Sequence, residues 1–311
     1  MVIITKIYNI LYLVKKKTYE QKMSRVRFHG IESISKRSNL KMTGIGWNDY
    51  DNNKTVQENI DNYNINFDIV IAYKPLELKD FDKINLPKCI RFNEMYNFGE
   101  TINEIESSNA DLVICHHEND MKTYTAYYSN YHGQKNKKVI FSHNPHCGEK
   151  TVFKDYKLKK DIDFLLCGRL GNQNSLKDFH YPIRDRMINL LKKLPEKYSW
   201  KIHEHPKYVH NDSLTNKYLI DFSKAINKAK ICVTCTGLPK SRFGKYIEIP
   251  MSNSVIAGDI PDQDQDDFRK FVIEINMQMS DEEIIKKLTY YIDNEDELNK
   301  LRNNGLKWSK N

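Results

Sequence analysis

Glu248 lies in a stretch whose residue types suit nucleotide binding, Tyr246–Pro261, which reads YIEIPMSNSVIAGDIP. An amphipathic segment carrying Glu248 runs directly into the apolar run Ser254–Ala257, and a glycine, an aspartate and a proline then interrupt the chain. This pattern predicts a helix, a tight turn, a buried strand and a loop. A carboxylate near a helix start, beside the carboxyl edge of a strand, is where doubly wound folds bind nucleotides. The alternative is an ordinary α/β unit with a glutamate on its surface.

A pair of histidines ends another predicted strand. His116 and His117 follow the run Asp111–Cys115, and Glu118 and Asn119 come next. An imidazole at this place can orient a hydroxyl group or help it lose its proton. The alternative is a histidine in an ordinary hydrogen-bonded turn.

Candidate metal ligands occur, but their spacing does not match a metal site. His143, His146 and Cys147 lack a fourth ligand at zinc spacing. Asp-x-Asp pairs begin at residues 49, 161, 262 and 264, as chance allows in a chain rich in aspartate. None of them directly follows a strand in the first half of the chain. We therefore predict no bound metal.

The cysteines indicate a reducing compartment. Cys232 and Cys235 have the CxxC spacing of redox or zinc sites, but they stand in a β-like run without a second ligand pair. Cys115 and Cys167 lie inside apolar runs. We predict reduced core cysteines at these positions and a cytoplasmic protein.

Composition allows one large or two medium globular domains. The chain has 311 residues, of which 40% are hydrophobic, and a net charge of +8. This charge suits anionic ligands, but basic residues are not gathered with aromatics in a recognised nucleic-acid motif, so no nucleic-acid partner is expected. The apolar residues 2–14 are too few to cross a bilayer and do not have the order of a signal peptide, so we predict no integral membrane segment.

Apolar runs alternate with helical stretches, which predicts parallel sheets covered by helices on both faces. The pattern restarts after residues 143–160, which we interpret as a linker between two domains. The predicted strands are Asn9–Val14, Leu40–Ile45, Phe67–Ala72, Cys89–Phe92, Asp111–Cys115, Lys138–Ser142, Asp163–Cys167, Trp200–His203, Ile231–Thr236 and Ser254–Ala257. The longer predicted helices are Gly99–Ser107, Glu118–Tyr131, Tyr181–Leu194, Leu214–Lys228, Asp281–Asp293 and Glu295–Ser309.

Two loops after predicted strands carry further signals. The basic segment Lys15–Phe28 would form the first loop and the start of the first helix, at the ligand-facing edge of a Rossmann-like sheet. The alternative is a solvated basic loop. Gly44-Ile45-Gly46 lacks the third glycine of a phosphate-binding fingerprint.

The second half resembles a known family. The segment Ser241–Pro261, the acidic loop Asp262–Asp267 and the helix Ser280–Ile292 are similar to the nucleotide-sugar-binding region of GT-B glycosyltransferases, in the group-1 and spore-protein-like branch. The resemblance covers the last half of the chain well and the first half loosely. It implies an α/β, GT-B type fold, with two Rossmann-like domains facing a cleft. Residues 1–150 would bind the acceptor and residues 151–311 the nucleotide-sugar donor.

The same resemblance implies roles for individual residues. Arg169 and Lys177 would bind the donor diphosphate, since a leaving diphosphate gains negative charge that cations stabilise. Glu248 would accept hydrogen bonds from the ribose, and His117 would contact the transferred sugar. The implied catalytic residues are His117, Glu118, Arg169 and Lys177. The implied donor-binding residues are Gly168, Arg169, Lys177, Arg242, Lys245, Tyr246, Glu248 and Ser252.

Two departures from the family pattern concern the same region. Many relatives have a first glutamate where this chain has Lys240, and a glycine where it has Asn253, a residue that also tolerates positive φ. The resemblance implies metal-independent transfer of a hexosyl or pentosyl group from a nucleotide-diphosphate sugar, as co-substrate, to an acceptor hydroxyl, with no cofactor. The acceptor can be a glycan, a protein or a small molecule. The missing glutamate leaves open a non-catalytic protein that binds nucleotides or glycans.

Overall fold

The computed structural model of the protein describes residues 6–20, 25–92, 95, 97–131, 138–168, 170, 181–203 and 212–310. The chain divides into two compact units, Met1–Pro145 and His146–Asn311. The pattern of the sequence placed this boundary at 150/151, within the short loop that precedes the second sheet.

The first unit contains a six-stranded parallel sheet with the strand order β2-β1-β3-β4-β5-β6. The central strands of this sheet are largely buried, as parallel sheets covered on both faces require. The strands are β1 (Asn9–Leu13), β2 (Asn39–Thr43), β3 (Ile69–Ala72), β4 (Lys88–Phe92), β5 (Leu112–Cys115) and β6 (Ile140–His143). The helices are α1 (Lys16–Glu20), α2 (Arg25–Ser35), α3 (Val56–Asp61), α4 (Phe98–Ser107) and α5 (Glu118–Tyr131), with 3₁₀ turns at Pro75–Glu77 and Phe81–Lys83.

The second unit contains a five-stranded parallel sheet with the order β11-β10-β9-β7-β8. The strands are β7 (Ile162–Cys167), β8 (Trp200–His203), β9 (Ala229–Val233), β10 (Val255–Gly258) and β11 (Val272–Glu274). The helices are α6 (Pro182–Leu191), α7 (Asp212–Lys228), α8 (Lys245–Met251), α9 (Gln265–Phe268), α10 (Asp281–Asp293) and α11 (Glu295–Trp308). Two parallel α/β sheets were predicted from the sequence, and this prediction is confirmed.

The short elements α3 and β11 are among those that had not been predicted. Helix α3 begins with a capping box, in which Thr55 and Glu58 exchange side-chain and backbone hydrogen bonds. Strand β11 has only three residues and pairs with β10 at the edge of the sheet. Both are too short for hydrophobic periodicity to reveal them, although the Thr-x-x-Glu spacing at α3 is a readable signal.

The glycines of Gly44-Ile45-Gly46 have a packing role. A Cβ at Gly44, whose φ is +137°, would lie 2.9 Å from the backbone oxygen of Val14. The glycine lets the chain after β2 lie against the chain after β1, where Val14 N–H donates to Thr43 O at 2.9 Å. Gly44 therefore lets the loop after β2 pack against the loop after β1. The spacing of the glycines alone did not reveal this packing.

All six cysteines are free, and Cys147 is the exposed one. Over the described ranges, no helix has the length and apolar character needed to cross a membrane. Within those ranges there is also no group of three or more His, Cys, Asp or Glu side chains placed to hold a metal ion.

Candidate functional site

The candidate donor site lies at the carboxyl edge of the second sheet. The chain leaves β7 toward β8 on one side, and β9 lies on the other side of β7, so the strand order reverses between β7 and β9. Doubly wound sheets bind ligands outside the carboxyl ends of their strands at such a reversal. Gly168 follows β7 here, and residues 234–244 connect β9 to α8.

A buried arginine joins these strand ends. Arg184, in the first turn of α6, is 3% exposed. Its Nη2 donates to the Cys235 carbonyl oxygen at 3.2 Å, just after β9. A Cβ at Gly168 would lie 2.6 Å from its Nη1. The guanidinium also lies over the Tyr181 ring, with Cζ 4.2 Å from the centroid. One positive charge therefore contacts the ends of both strands at the reversal point.

Glu248 lies at the start of α8 and is only 4% exposed. Its Oε2 accepts a hydrogen bond from Lys245 Nζ at 2.9 Å. A Cβ at Gly244 would lie 2.8 Å from Oε1. The absence of a side chain at Gly244 therefore leaves room for the carboxylate, and Lys245 balances its charge.

The Lys245 ammonium group lies beside an aromatic ring. Its Nζ lies 4.6 Å from the centroid of the Phe222 ring, on α7. The ring of His203, which ends β8, lies 4.9 Å from the same Phe222 ring. Burial, and then the Lys245 charge, lower the pKa of His203, so its imidazole is neutral at pH 7. From the sequence, His203 follows a strand and either lines the donor cleft or has a core or loop role, and the structure brings it near Lys245.

Asp259 organises the loop after β10. Its carboxylate accepts hydrogen bonds from Thr236 N at 2.9 Å and from Lys240 Nζ at 2.8 Å. Lys240 adopts a left-handed backbone with φ of +52°. Lys240 stands where the resemblance implied a glutamate, and the structure pairs it with the buried Asp259. This position therefore presents an ammonium group held by a carboxylate.

The other predicted donor residues in the described ranges have internal partners. The Tyr246 hydroxyl donates to the Asp259 backbone oxygen, and the side chain is fully buried. Ser252 caps the C-terminal end of α8, and its hydroxyl lies 3.3 Å from that of Ser223 on α7. Arg242 Nη1 is 2.9 Å from Asp264. Gly168 follows Cys167, on which the charges of Lys245 and Glu248 act, so these three predicted residues share one edge of the sheet. The side chain of Ser252 contacts Ser223 instead.

Two of the predicted cations fall outside the described residues. Arg169 and Lys177 follow Gly168 in the sequence, in ranges that the structure does not describe. Their assignment to the donor diphosphate stays a prediction.

The histidines predicted in the first unit are buried and neutral. His116 and His117 are each 2% exposed, at the end of β5. Burial lowers the pKa of His117 to about 4, with a smaller contribution from His143. Burial and then the Arg91 charge lower the pKa of His116 to about 3. Neither imidazole carries a proton on both nitrogens at pH 7.

Arg91 determines which nitrogen of His116 carries the proton. Arg91 Nε donates to His116 Nε2 at 3.1 Å, so His116 Nδ1 is protonated and donates to the Asn144 carbonyl oxygen at 2.7 Å. This chain of hydrogen bonds ties the end of β5 to the end of β6. Glu118, the third predicted residue here, forms an ion pair with Lys122 at 2.9 Å on the same helix.

Sequence reasoning missed Arg184 and Arg91. Arg91 is a single arginine inside the apolar run Cys89–Phe92, whereas Arg184 is followed by Asp185 and Arg186, so the pattern of charges does not distinguish it. An arginine at a position that the pattern predicts to be buried must have a specific partner, and this was the available signal.

No protein-family model and no curated protein sequence matches the chain. Solved structures do resemble it. Sucrose-phosphate synthase from Thermosynechococcus elongatus has a TM-score of 0.59 at 10% identity, with 97% of this chain and 94% of that chain covered. HepE from Anabaena, in complex with UDP and glucose, has a TM-score of 0.56 at 9% identity, with the same shares covered.

A third similar structure has another activity in its name. A putative UDP-N-acetylglucosamine 2-epimerase from Listeria monocytogenes has a TM-score of 0.51 at 13% identity, with 96% of this chain and 91% of that chain covered. These likenesses confirm the fold prediction, because the chain has the two-unit GT-B fold. They do not decide the reaction, since a fold can support several activities.

Proposed function

We propose that the protein is a glycosyltransferase that moves a sugar from a nucleotide-diphosphate sugar to an acceptor hydroxyl, without a metal ion. The proposal rests on the ion pair of the partly buried Lys245 and the buried Glu248 at the carboxyl edge of the second sheet. A carboxylate and an ammonium group at this edge match the ribose hydroxyls and the diphosphate of a nucleotide. The GT-B fold and the UDP bound to HepE, one of the similar structures, support this choice.

In the second unit, cations supply the main catalytic effect. Negative charge grows on the diphosphate as the bond to the sugar breaks, and fixed positive charges stabilise that transition state. Arg169, Lys177 and Lys245 have this role in the proposal, while Glu248 binds the ribose. These cations take the place of a metal ion, so nucleotide release is expected to persist in EDTA.

In the first unit, His117 acts as a neutral imidazole. With a pKa lowered to about 4 by burial, it can accept or donate one hydrogen bond to a sugar or acceptor hydroxyl at pH 7. Glu118 contributes through its ion pair with Lys122, which fixes the first turn of α5.

Lys240 favours a second candidate function, a protein that binds a nucleotide sugar without transferring it. The ammonium group of Lys240 and its partner Asp259 occupy a position where relatives carry a glutamate. A changed charge at the sugar position can abolish transfer and leave nucleotide binding intact.

One experiment separates these functions. UDP-, GDP- and dTDP-sugars are titrated by calorimetry, and nucleotide release is then followed by chromatography with and without candidate acceptor sugars. Release that depends on an acceptor supports the transferase. Binding without release supports the non-catalytic protein, and a changed sugar without release indicates epimerisation. Absence of binding for all three donors overturns both proposals.

The variant Arg169→Ala tests whether Arg169 contacts the donor diphosphate. The expected loss is ~1.5–3 kcal/mol for a nucleoside diphosphate, the scale of a hydrogen bond to a charged group. The loss should be smaller for the bare nucleoside. Equal losses for both ligands would show that Arg169 does not contact phosphate.

A further inference from the structure

The first unit has a pocket of about 190 Å³ at the carboxyl edge of its sheet. It lies where β1 and β3 end side by side, with Leu13 paired to Ala72. The chain leaves β1 toward β2 on one side and β3 lies on the other, so this is the reversal point of the first sheet. The volume corresponds to about six water molecules, which is room for one small ligand.

The lining of the pocket combines an apolar floor with three charged side chains. Val14 and Leu78 are among the apolar residues, and Lys15, Lys74 and Glu77 carry the charges. Lys15 Nζ and Glu77 Oε2 are 2.9 Å apart, and both side chains are partly exposed. The three charged side chains together carry one net positive charge. Because Lys15 and Glu77 balance each other, this charge is on Lys74.

We propose that this pocket binds a small acceptor that carries several hydroxyl groups and one anionic group, a phosphate or a carboxylate. Lys74 binds the anionic group, since it is an exposed residue of the lining and carries the positive charge that Glu77 does not balance. Lys15 and Glu77 bind hydroxyls, because a carboxylate accepts hydrogen bonds from them and an ammonium group donates. Glu77 also repels an anion placed beside it, which directs the anionic group toward Lys74.

Glu104 allows a further test of the assignment of Lys74 to the anionic group. It lies on α4, outside the lining, and interacts with the Lys74 charge. A negative charge there opposes binding of an anion to Lys74. Removal of that charge in Glu104→Gln is therefore expected to increase affinity for the anionic ligand about two- to threefold, the scale of a partly exposed charge pair.

The inference rests on the proposed function in one respect, since the ligand is taken to be the acceptor of the transfer. Binding to the pocket needs no donor and can be measured alone.

Trp47 can report binding by its fluorescence, because its Nε1 donates to the backbone oxygen of Val14, a residue of the lining, at 2.8 Å. Replacement of Trp200 and Trp308 by phenylalanine leaves Trp47 as the one tryptophan of the chain.

The experiment titrates the single-tryptophan protein with glucose, glucose 6-phosphate, glucuronate and inorganic phosphate, followed by Trp47 fluorescence and calorimetry. At least one of the two anionic sugars should bind about tenfold more tightly than glucose, and tighter than inorganic phosphate. Lys74→Met should remove that advantage, the loss expected for one charged hydrogen bond. Lys79→Met is the matched control on the same segment, where Nζ donates to Asn53 O at 2.8 Å outside the pocket.

Three results would overturn the inference. Glucose could bind as tightly as the anionic sugars, Lys79→Met could weaken binding as much as Lys74→Met, or none of the probes could bind. Titration of the same sample with UDP-sugars separates the two proposals. Donor binding without anion binding rejects the pocket and keeps the donor site, and the reverse result rejects the donor site.

Discussion

The guanidinium of Arg184 occupies the space that a side chain at Gly168 would require. A Cβ at residue 168 would lie 2.6 Å from Nη1 and 2.8 Å from Cζ of Arg184. Gly168 also has φ of +107°, which L side chains rarely adopt. The turn after β7 and the buried charge on α6 therefore depend on each other.

Gly168→Ala is expected to destabilise the second unit by about 1–3 kcal/mol, from backbone strain and displacement of the guanidinium. Arg184→Met should cost a similar amount. The double variant should lose less than the sum, because the steric conflict disappears when the guanidinium is absent. Urea denaturation followed by Trp200 fluorescence measures this, since Trp200 begins β8 beside β7. Losses that add within about 0.5 kcal/mol would argue against a direct conflict.

Gly244→Ala is expected to weaken donor binding without much loss of stability. The backbone at Gly244 has φ of −52°, which alanine adopts freely, but its Cβ would lie 2.8 Å from Glu248 Oε1. Displacement of the carboxylate should cost ~1.5–3 kcal/mol of UDP affinity, measured by calorimetry. Gly99→Ala is the control, since the nearest atom there would be 3.9 Å away. Unchanged UDP affinity in Gly244→Ala would separate Glu248 from the donor.

Glu248→Gln tests the ribose contact itself. The change keeps the shape of the side chain but removes its charge, and the expected cost is roughly 1.5–3 kcal/mol in donor affinity. A 2′-deoxy donor should show little further loss in the variant, because the contact is already broken. Calorimetry measures the affinity of the unmodified protein and of Glu248→Gln for the donor and for its 2′-deoxy form. If the unmodified protein binds the 2′-deoxy donor equally well, Glu248 does not contact that hydroxyl.

The first unit is expected to lose stability as the pH falls below about 6.5. Burial holds the pKa of His116 at about 3 and that of His117 at about 4, whereas the unfolded chain binds these protons near pH 6.5. Between pH 6.5 and 4 the unfolded state therefore binds more protons, and each histidine costs up to about 1.4 kcal/mol per pH unit.

Urea denaturation of the single-tryptophan protein, followed by Trp47 fluorescence, measures this dependence across pH 7 to 5. Replacement of both histidines by asparagine should flatten it, whatever the change in absolute stability. An equally steep slope in the double variant would assign the effect to other groups.

Lys160 is expected to make the second unit more stable as the pH rises from about 8 to about 10.5. Its Nζ donates to the backbone oxygens of Asn227 and Ala229 at 2.9 Å, and burial lowers its pKa to about 8. Over this range the unfolded chain keeps a proton that the folded protein releases, so folding is favoured as pH increases.

Lys160→Met should remove this pH dependence and cost about 1–3 kcal/mol at pH 7, because two buried carbonyls lose a donor. Lys159→Met, at the neighbouring exposed lysine, is the control. Tyrosine ionisation affects both variants equally, so it cancels when their free energies of unfolding are subtracted. A parallel pH profile in both variants would contradict the assignment.

The sequence by itself determined where the strands and longer helices lie. Runs such as Ile69–Ala72 and Leu112–Cys115 are aliphatic and short, and the chain between them has helical periodicity, so local pattern is sufficient to place them. It also placed Glu248 directly before a buried strand, because helix, turn and strand follow one another within a single segment. The positions of these elements can be predicted because the residues that form each one are adjacent in the sequence.

Only the tertiary structure decided which side chains meet. The order of strands in each sheet places Gly168 beside Cys235 and His116 beside Asn144, and this order is not encoded in the periodicity of either segment. Nothing in the local sequence shows the partners of the buried Arg184 and Arg91, because Cys235 and His116 are distant from them along the chain. Burial then sets the charge state of the histidines, since a pKa depends on the solvent that surrounding elements exclude. Contacts between residues distant in sequence, and the dielectric around them, exist only once the sheets have formed.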